Sequence, residues 1–257
     1  MIRPRAHRLN LKFVYRGGFH WISPFSSQAR RKASGGRAAA QALADASWHV
    51  IGVARSIAGK FPGEFISCDL TDSNAIRKLA RNIASRSNVL GVVNNFGIAR
   101  HERFEGVTDV DFMALLGSNL RPALQITQAL LPGMRDAKFE RVVNVGSLTT
   151  RGLPYRAGYA AAKSALESLT RTIAIEYAAY GITANVVAPD PTETELFRAN
   201  NQPGSDGEAR YLAGVPVGRF GRPGEIAAAI SFFCSDLASF ITGQSLFIDG
   251  GSSLGKG

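Results

Sequence analysis

From Trp48 to the end of the chain, short apolar segments of strand length alternate with longer segments of helical periodicity. Several short segments are apolar on both faces, as in Arg-Val-Val-Asn-Val from Arg141 and Ala-Asn-Val-Val-Ala from Ala184. Strands of this kind belong to parallel sheets that are covered by helices on both sides. The alternation therefore predicts a single α/β domain with a doubly wound, Rossmann-type parallel sheet.

The pattern defines six strands and five helices. The predicted strands are residues 49–54, 64–67, 89–94, 141–145, 182–188 and 245–248, and the predicted helices are 38–46, 72–85, 109–131, 157–180 and 225–235. Residues 195–220 mix glycine, proline and asparagine with isolated apolar residues. Such a segment is typical of a substrate lid, and a surface loop without a role is the alternative.

The charge of the chain is concentrated at its beginning. The formal net charge is +10, but residues 1–40 hold nine basic residues and no acidic one, and the rest holds 21 basic and 20 acidic residues. Because the body is nearly neutral, we expect no nucleic-acid partner. No apolar run approaches the ~18 residues that cross a bilayer, so we expect a cytoplasmic protein without a membrane partner. Cys68 and Cys234 have no metal-ligand spacing and are predicted to be free thiols.

Tyr159 and Lys163 are four residues apart in a predicted helix. This spacing puts the phenol and the ammonium on one helix face. Ser147 follows the strand before that helix, so its hydroxyl can meet both groups at the edge of the sheet. The three residues predict a proton-transfer site and therefore an enzyme.

Together with other segments, these residues resemble the short-chain dehydrogenase/reductase family over residues 36–257, in particular members similar to 3-oxoacyl-acyl-carrier-protein reductases. The segments are Asn144-Val145-Gly146-Ser147, Tyr159 to Lys163, Ser118-Asn119-Leu120, Asn94-Asn95-Phe96-Gly97, Cys68-Asp69-Leu70, Ile241-Thr242-Gly243-Gln244 and Asp249-Gly250-Gly251. The resemblance implies an oxidoreductase that interconverts a carbonyl and a secondary alcohol. It also implies a homo-oligomer, either a tetramer or a dimer.

The resemblance assigns four catalytic roles. Tyr159 is the general acid/base, Ser147 binds the substrate oxygen, Lys163 lowers the tyrosine pKa and holds the nicotinamide ribose, and Asn119 holds a water that relays protons. A free tyrosine has a pKa of ~10, and a nearby ammonium favours the phenolate. The alternatives are an ordinary half-buried aromatic for Tyr159 and a core amide for Asn119.

The cofactor can be inferred from charge. An NAD site of this kind usually has a carboxylate at the end of the second strand, whereas this chain has Ala54 followed by Arg55. An arginine attracts a 2′-phosphate, which favours NADP(H) over NAD(H); a solvated surface charge is the alternative. The cofactor contacts implied by the resemblance are Gly36, Arg55, Asp69, Asn95, Gly97, Tyr159, Lys163, Pro189 and Thr194. For Thr194 the alternative is a helix cap in the lid.

The first 36 residues depart from the family pattern. The family begins with a strand and Thr-Gly-x-x-x-Gly-x-Gly, but here only Gly36 of residues 29–36 stands at a glycine position, and Pro24 lies where the strand is expected. We interpret residues 1–36 as an aberrant basic segment from a shifted reading frame. Suitable synonymous codons, read one base earlier, give Ala-Leu-Leu-Val-Thr-Gly-Ala-Ala-Gln-Gly-Ile-Gly-Arg. A genuine basic leader and a basic arm for nucleic acid or membrane are the alternatives.

Two single residues also depart from the pattern. Phe96 replaces a small residue and is expected to crowd the cofactor. Asp190 replaces the glycine usual after Pro189, which adds negative charge near the nicotinamide. With the altered first segment, these departures leave a second functional hypothesis, namely a non-catalytic or weakly active member of the family with an impaired cofactor loop.

Overall fold

The computed structural model of the chain describes residues 11–16, 34–57, 59–86, 89–137, 140–194, 197–198 and 201–255. These residues form a seven-stranded sheet in the order β3-β2-β1-β4-β5-β6-β7, with every pair parallel. The strands are β1 (Leu11–Arg16), β2 (His49–Ala54), β3 (Glu64–Ser67), β4 (Val89–Asn95), β5 (Glu140–Val145), β6 (Ile182–Pro189) and β7 (Ser245–Ile248). The helices are α1 (Ser34–Asp45), α2 (Ser73–Arg86), α3 (Asp109–Ala137), α4 (Ala157–Tyr177), α5 (Asp206–Ala213) and α6 (Pro223–Phe233).

The sheet has a hydrophobic core on each face. Helices α2, α3 and α4 cover one face, where Ile76 and Ile126 are completely or almost completely buried. Helices α1 and α6 cover the other face, where Leu43 is buried. Neighbouring residues of one strand serve different cores, since Val92 belongs to the first and Val93 to the second. This explains why the strands are apolar on both faces and confirms the predicted doubly wound α/β class.

Strand β1 was not predicted from the sequence. Its backbone lies between β2 and β4, and Val14 is paired with Gly52 on one side and Val93 on the other. The segment Leu-Lys-Phe-Val-Tyr-Arg has two basic residues among six, so it lacks the two-sided apolar pattern of the other strands. Pro24, where the central strand was expected, lies outside the described residues.

Two helical segments also differ from the expectation. Helix α3 was predicted to end at Leu131, but it continues to Ala137 with Pro132 inside it. Pro132 is exposed, and a backbone carbonyl left without a donor at such a position can bind water. In the expected lid, helix α5 occupies part of a segment that read as a loop.

Other sequence predictions concern single features. Neither Cys68 nor Cys234 forms a disulfide within the described residues; Cys234 is buried, and Cys68 is only partly buried although both were expected in the core. Among the helices that the structure describes, none combines the length and apolar character that a membrane crossing needs.

Candidate active site

The candidate site lies along the edge where all seven parallel strands end. The strand order reverses between β1 and β4, and such a switch point is where α/β sheets bind ligands. Asn95 ends β4 at this point and is paired with the backbone of Arg16 in β1. Ser147 follows β5, and Pro189 ends β6. The fold therefore brings residues that are distant in sequence to one edge.

Ser147, Tyr159 and Lys163 meet at this edge, as their spacing predicted. Ser147 precedes a short 3-10 turn, and its Oγ accepts a hydrogen bond from the backbone N–H of Thr149 at 3.3 Å. Tyr159 lies in the first turn of α4, and Lys163 follows one turn later. The Lys163 Nζ lies 5.7 Å from the centre of the Tyr159 ring. The exposed fractions are 6% for Ser147, 2% for Tyr159 and 1% for Lys163.

Lys163 is anchored by the backbone at the ends of two strands. Its Nζ donates a hydrogen bond to the carbonyl oxygen of Val145 at 2.7 Å and to that of Phe96 at 3.2 Å. Burial lowers the pKa of Lys163 to about 7. The side chain is therefore fixed beneath the site, and its charge depends on pH near neutrality.

The pKa of Tyr159 is determined by its burial and by three neighbouring residues. Burial raises the pKa of Tyr159, the charge of Asp190 raises it further, and the Ser147 hydrogen bond and the charge of Arg156 lower it. Ser147 and Arg156 thus lower the pKa of Tyr159 in this structure, and the lowering role of Lys163 stays a prediction. The phenol consequently carries its proton at neutral pH, as a proton donor must.

Asn119 joins α3 to the segment that follows β4. Its Oδ1 accepts a hydrogen bond from the Ile98 N–H at 2.8 Å, and its Nδ2 donates to the Ile98 carbonyl at 2.9 Å and to the Leu115 carbonyl at 2.8 Å. The Asn119 side chain therefore fixes the position of the Ile98 backbone. A Cβ added at Gly97 would lie 3.2 Å from Asn119 Oδ1 and 3.4 Å from Lys163 Nζ, so Gly97 lets the backbone pass close to both.

Arg55 and Asp69 follow β2 and β3 at this edge, and both are exposed. The Arg55 carbonyl accepts a hydrogen bond from the Ser67 hydroxyl at 2.9 Å. Asp69 Oδ1 accepts hydrogen bonds from the N–H of Thr71 at 2.9 Å and from its hydroxyl at 2.8 Å. Both residues therefore lie at the carboxyl ends of neighbouring strands, and their contacts with a cofactor stay a prediction.

Other expected cofactor residues lie at both ends of the edge. Gly36 is buried in the first turn of α1. Thr194 Oγ1 accepts a hydrogen bond from the Phe197 N–H at 3.1 Å, which is the helix-cap role considered as its alternative. Residues 17–33, which would approach the pyrophosphate, lie outside the described residues.

The described residues fit a dinucleotide at this edge. Thr192 Oγ1 is buried and has no hydrogen-bond partner within the described part of the chain. It follows β6 and lies beside the lid, through a bridge to Gly221. The Thr192 hydroxyl is therefore available for a bound cofactor, and at Gly97 the backbone runs close to Asn119 and Lys163.

Sequence reasoning missed one charged residue near the site. Arg156 precedes α4, three residues before Tyr159, and its Nη1 donates to the Arg100 carbonyl at 3.2 Å. The only feature of the sequence that could have indicated Arg156 is its position directly before the helix that carries Tyr159. Phe96, which was expected to crowd the cofactor, packs against the core that contains α2 and α3.

Comparisons with known proteins agree with this geometry. A family model described as enoyl-(acyl carrier protein) reductase matches residues 29–253. The 3-oxoacyl-[acyl-carrier-protein] reductase of Vibrio harveyi is 34% identical over 226 residues, which cover 84% of this chain and 91% of that protein. The enzyme of the same name from Salmonella typhimurium is 35% identical over the same shares of the two chains.

Solved structures give the same result. The aldohexose dehydrogenase of Thermoplasma acidophilum superposes with a TM-score of 0.83 at 26% identity, over 97% of this chain and 96% of that one. A structure from Agrobacterium tumefaciens with bound NADP has a TM-score of 0.79 at 25% identity, over 95% of this chain and 96% of that one. With the matched family model and the arrangement of Ser147, Tyr159 and Lys163, these findings establish that the chain is an oxidoreductase of the short-chain dehydrogenase/reductase family.

Proposed function

We propose that the chain is an NADP(H)-dependent oxidoreductase that interconverts a carbonyl and a secondary alcohol, with Tyr159 as general acid/base. The observation that carries the proposal is the buried cluster of Ser147, Tyr159 and Lys163 at the carboxyl edge of the sheet. A protonated phenol beside a serine hydroxyl can bind a carbonyl oxygen and donate a proton to it. The bound cofactor would supply the hydride.

Each residue of the cluster has a distinct role in the proposal. Ser147 donates a hydrogen bond to the substrate oxygen and orients it toward Tyr159. Lys163 supports the floor of the site through the carbonyls of Val145 and Phe96 and would hold the nicotinamide ribose. Asn119 fixes the Ile98 backbone beside it, and we propose that it helps to hold the water that relays protons to Lys163.

The choice of NADP(H) rests on Arg55, which is exposed directly after β2. A guanidinium there favours a cofactor with a 2′-phosphate. A relative that bears the name 3-oxoacyl-[acyl-carrier-protein] reductase is 35% identical, so a 3-oxoacyl thioester is the first substrate class to test. We propose that Gly36, Asp69, Asn95, Gly97, Pro189 and Thr194 complete the cofactor contacts.

The decisive experiment is a scan of NADPH and NADH oxidation against 3-oxoacyl thioesters, ketones and aldehydes. We expect turnover with NADPH and a loss of at least about 100-fold in kcat for Tyr159→Phe, because a general acid contributes on this scale. Tyr177→Phe, which removes a hydroxyl from the same helix away from the site, is the control. Retained activity in folded Tyr159→Phe protein would refute the assigned role.

A second candidate function is a non-catalytic or weakly active member of the family. It is favoured by residues 29–36, which have only one of the expected phosphate-loop glycines. This candidate predicts weak NADPH binding and no turnover across the whole scan, with the wild-type chain folded.

A further inference from the structure

Asp190 lies beside the catalytic cluster, at a position where the family usually has glycine. In the β5–β6 register Val145 is opposite Val187, and the Gly146 N–H donates to the Val187 carbonyl at 2.8 Å. Ser147 and Pro189 therefore leave two neighbouring strands at the same level, and Asp190 follows immediately. On its other side, the Asp190 N–H donates to the Ile248 carbonyl of β7 at 3.4 Å. The backbone thus fixes Asp190 in the wall of the site.

Three ionisable side chains interact electrostatically with the Asp190 carboxylate. The charges of Arg156, at the start of α4, and of Asp249, directly after β7, act on Asp190, and the charge of Asp190 acts on Tyr159. Asp249 is held by its own turn, since it accepts hydrogen bonds from the Gly251 N–H at 3.0 Å and the Ser253 N–H at 2.7 Å. Asp190 accepts none within the part of the chain that the structure describes. Its charge therefore acts on its neighbours, and Tyr159 is one of them.

The ionisation of Asp190 falls within the working pH range of an enzyme. Burial raises its pKa to about 6, Arg156 opposes the rise, and Asp249 adds to it. Above that pH the carboxylate is negative, and a phenolate forming beside it is disfavoured by like charge. Below that pH this penalty disappears. The effect of Asp190 on Tyr159 is consequently itself dependent on pH.

We propose that Asp190 is a positioning residue for the proton of Tyr159: its ionised carboxylate keeps the phenol protonated to a higher pH, which extends the range of carbonyl reduction and delays alcohol oxidation to more alkaline solution. The inference rests on the function proposed above. In oxidation, the carbon–hydrogen bond of the alcohol breaks, the hydride passes to the oxidised cofactor, and the hydroxyl proton passes to the Tyr159 oxygen. That direction therefore needs the phenolate, whereas reduction needs the phenol.

The test compares wild-type protein with Asp190→Asn, which removes the charge at nearly the same size, and Asp190→Glu, which retains it. The kcat/KM for alcohol oxidation is measured from pH 5 to pH 8, because it reports ionisations of the free enzyme. We expect the Asn variant and wild type to be equal near pH 5, and the variant to be faster by about three- to tenfold near pH 8, as neighbouring charges shift a pKa on this scale. The Glu variant should follow wild type.

An Asn-to-wild-type ratio that is constant with pH would overturn the proposal, because a structural effect of the substitution acts equally at every pH. Absence of turnover in wild type would instead count against the proposed function. In that case the proton of Tyr159 is followed directly, by NMR of protein with carbon-13 at the tyrosine ζ position and with the signal assigned through Tyr159→Phe. Tyr159 should ionise at lower pH in Asp190→Asn than in wild type, and coincident titrations would sink the idea.

Discussion

At the scale of single residues, Lys163 shows how burial changes a charge that the reaction needs. Only 1% of it is exposed, and its ammonium is held by backbone carbonyls. Its pKa of about 7 in the folded chain lies below the ordinary value of ~10.4. Between these two values the unfolded chain holds more protons than the folded chain. The free energy of unfolding therefore rises with pH through this window, while the cost of burying the ammonium is fully present below it.

Lys163→Met lacks the titrating group, so its free energy of unfolding should depend differently on pH. Between pH 7 and pH 9, wild type should gain about 2 kcal/mol of unfolding free energy relative to the variant, because each unit of this window contributes up to about 1.4 kcal/mol. Urea unfolding of both proteins at the two pH values measures the difference, and contributions from other titrating groups cancel between them. Parallel changes in the two proteins would show that Lys163 stays fully charged in the folded chain.

At the scale of elements, the contact between α3 and α4 sets the position of Tyr159. Gly158 precedes Tyr159 in the first turn of α4, and a Cβ there would lie 2.8 Å from Leu115 Cδ1 and 3.6 Å from Phe112 Cδ2 of α3. Gly158→Ala should push the start of α4 away from α3. We expect an unfolding free energy lower by about 1–3 kcal/mol, as in other overpacked cores, and a kcat at least about tenfold lower, because small displacements at a site are costly.

Gly133→Ala is the matched control, since it makes the same change at a helical position where a Cβ would have no neighbour within 4 Å. Alanine favours a helix over glycine by up to about 1 kcal/mol, so this variant should be as stable as wild type or more so. Thermal unfolding and steady-state kinetics of both variants provide the measurement. Equal behaviour of the two alanines would mean that close packing at Gly158 does not place the phenol.

The same elements show what the sequence could predict. Six strands were recognised from short apolar segments, several of which are apolar on both faces, and Ser147, Tyr159 and Lys163 were brought together because a strand end and one helix turn fix their relative positions. The pKa of Tyr159 was not predictable, because it depends on the charges of Asp190 and Arg156, which belong to different parts of the fold. Local pattern thus determines which groups meet, and tertiary contacts determine their charge.

Backbone contacts explain two further features that were not predicted from the sequence, namely the hydrogen bonds of Asn119 and strand β1. The use of the Asn119 side chain by Ile98 depends on the path of the chain after β4, which no periodicity describes. Strand β1 is held by pairing on both sides, although its own sequence contains Lys12 and Arg16. A strand of this kind is stabilised by its neighbours rather than by its own pattern.

At the scale of the whole molecule, the contrast between the first 40 residues and the rest bears on cofactor binding. The first 40 have nine basic residues and no acidic one, while the remainder is almost balanced. If the shifted-frame interpretation holds, the chain has an oxidoreductase body with an altered phosphate-binding segment. Glycines in that segment let the backbone reach the pyrophosphate at the start of a helix, and here the corresponding helix is α1.

The shifted-frame interpretation is tested by replacing residues 25–37 with Ala-Leu-Leu-Val-Thr-Gly-Ala-Ala-Gln-Gly-Ile-Gly-Arg, which keeps the glycine at position 36 and the arginine at position 37. The replacement supplies an apolar strand and the three glycines, so the dissociation constant for NADPH, measured by fluorescence titration, should fall by at least about tenfold. A second replacement with alanine at the three glycine positions keeps the apolar strand and should not bind more tightly than the original chain, because its Cβ atoms occupy the space that the pyrophosphate needs. Micromolar NADPH affinity in the original chain, with no gain from the glycines, would contradict the interpretation and leave residues 1–36 as a genuine part of a working enzyme.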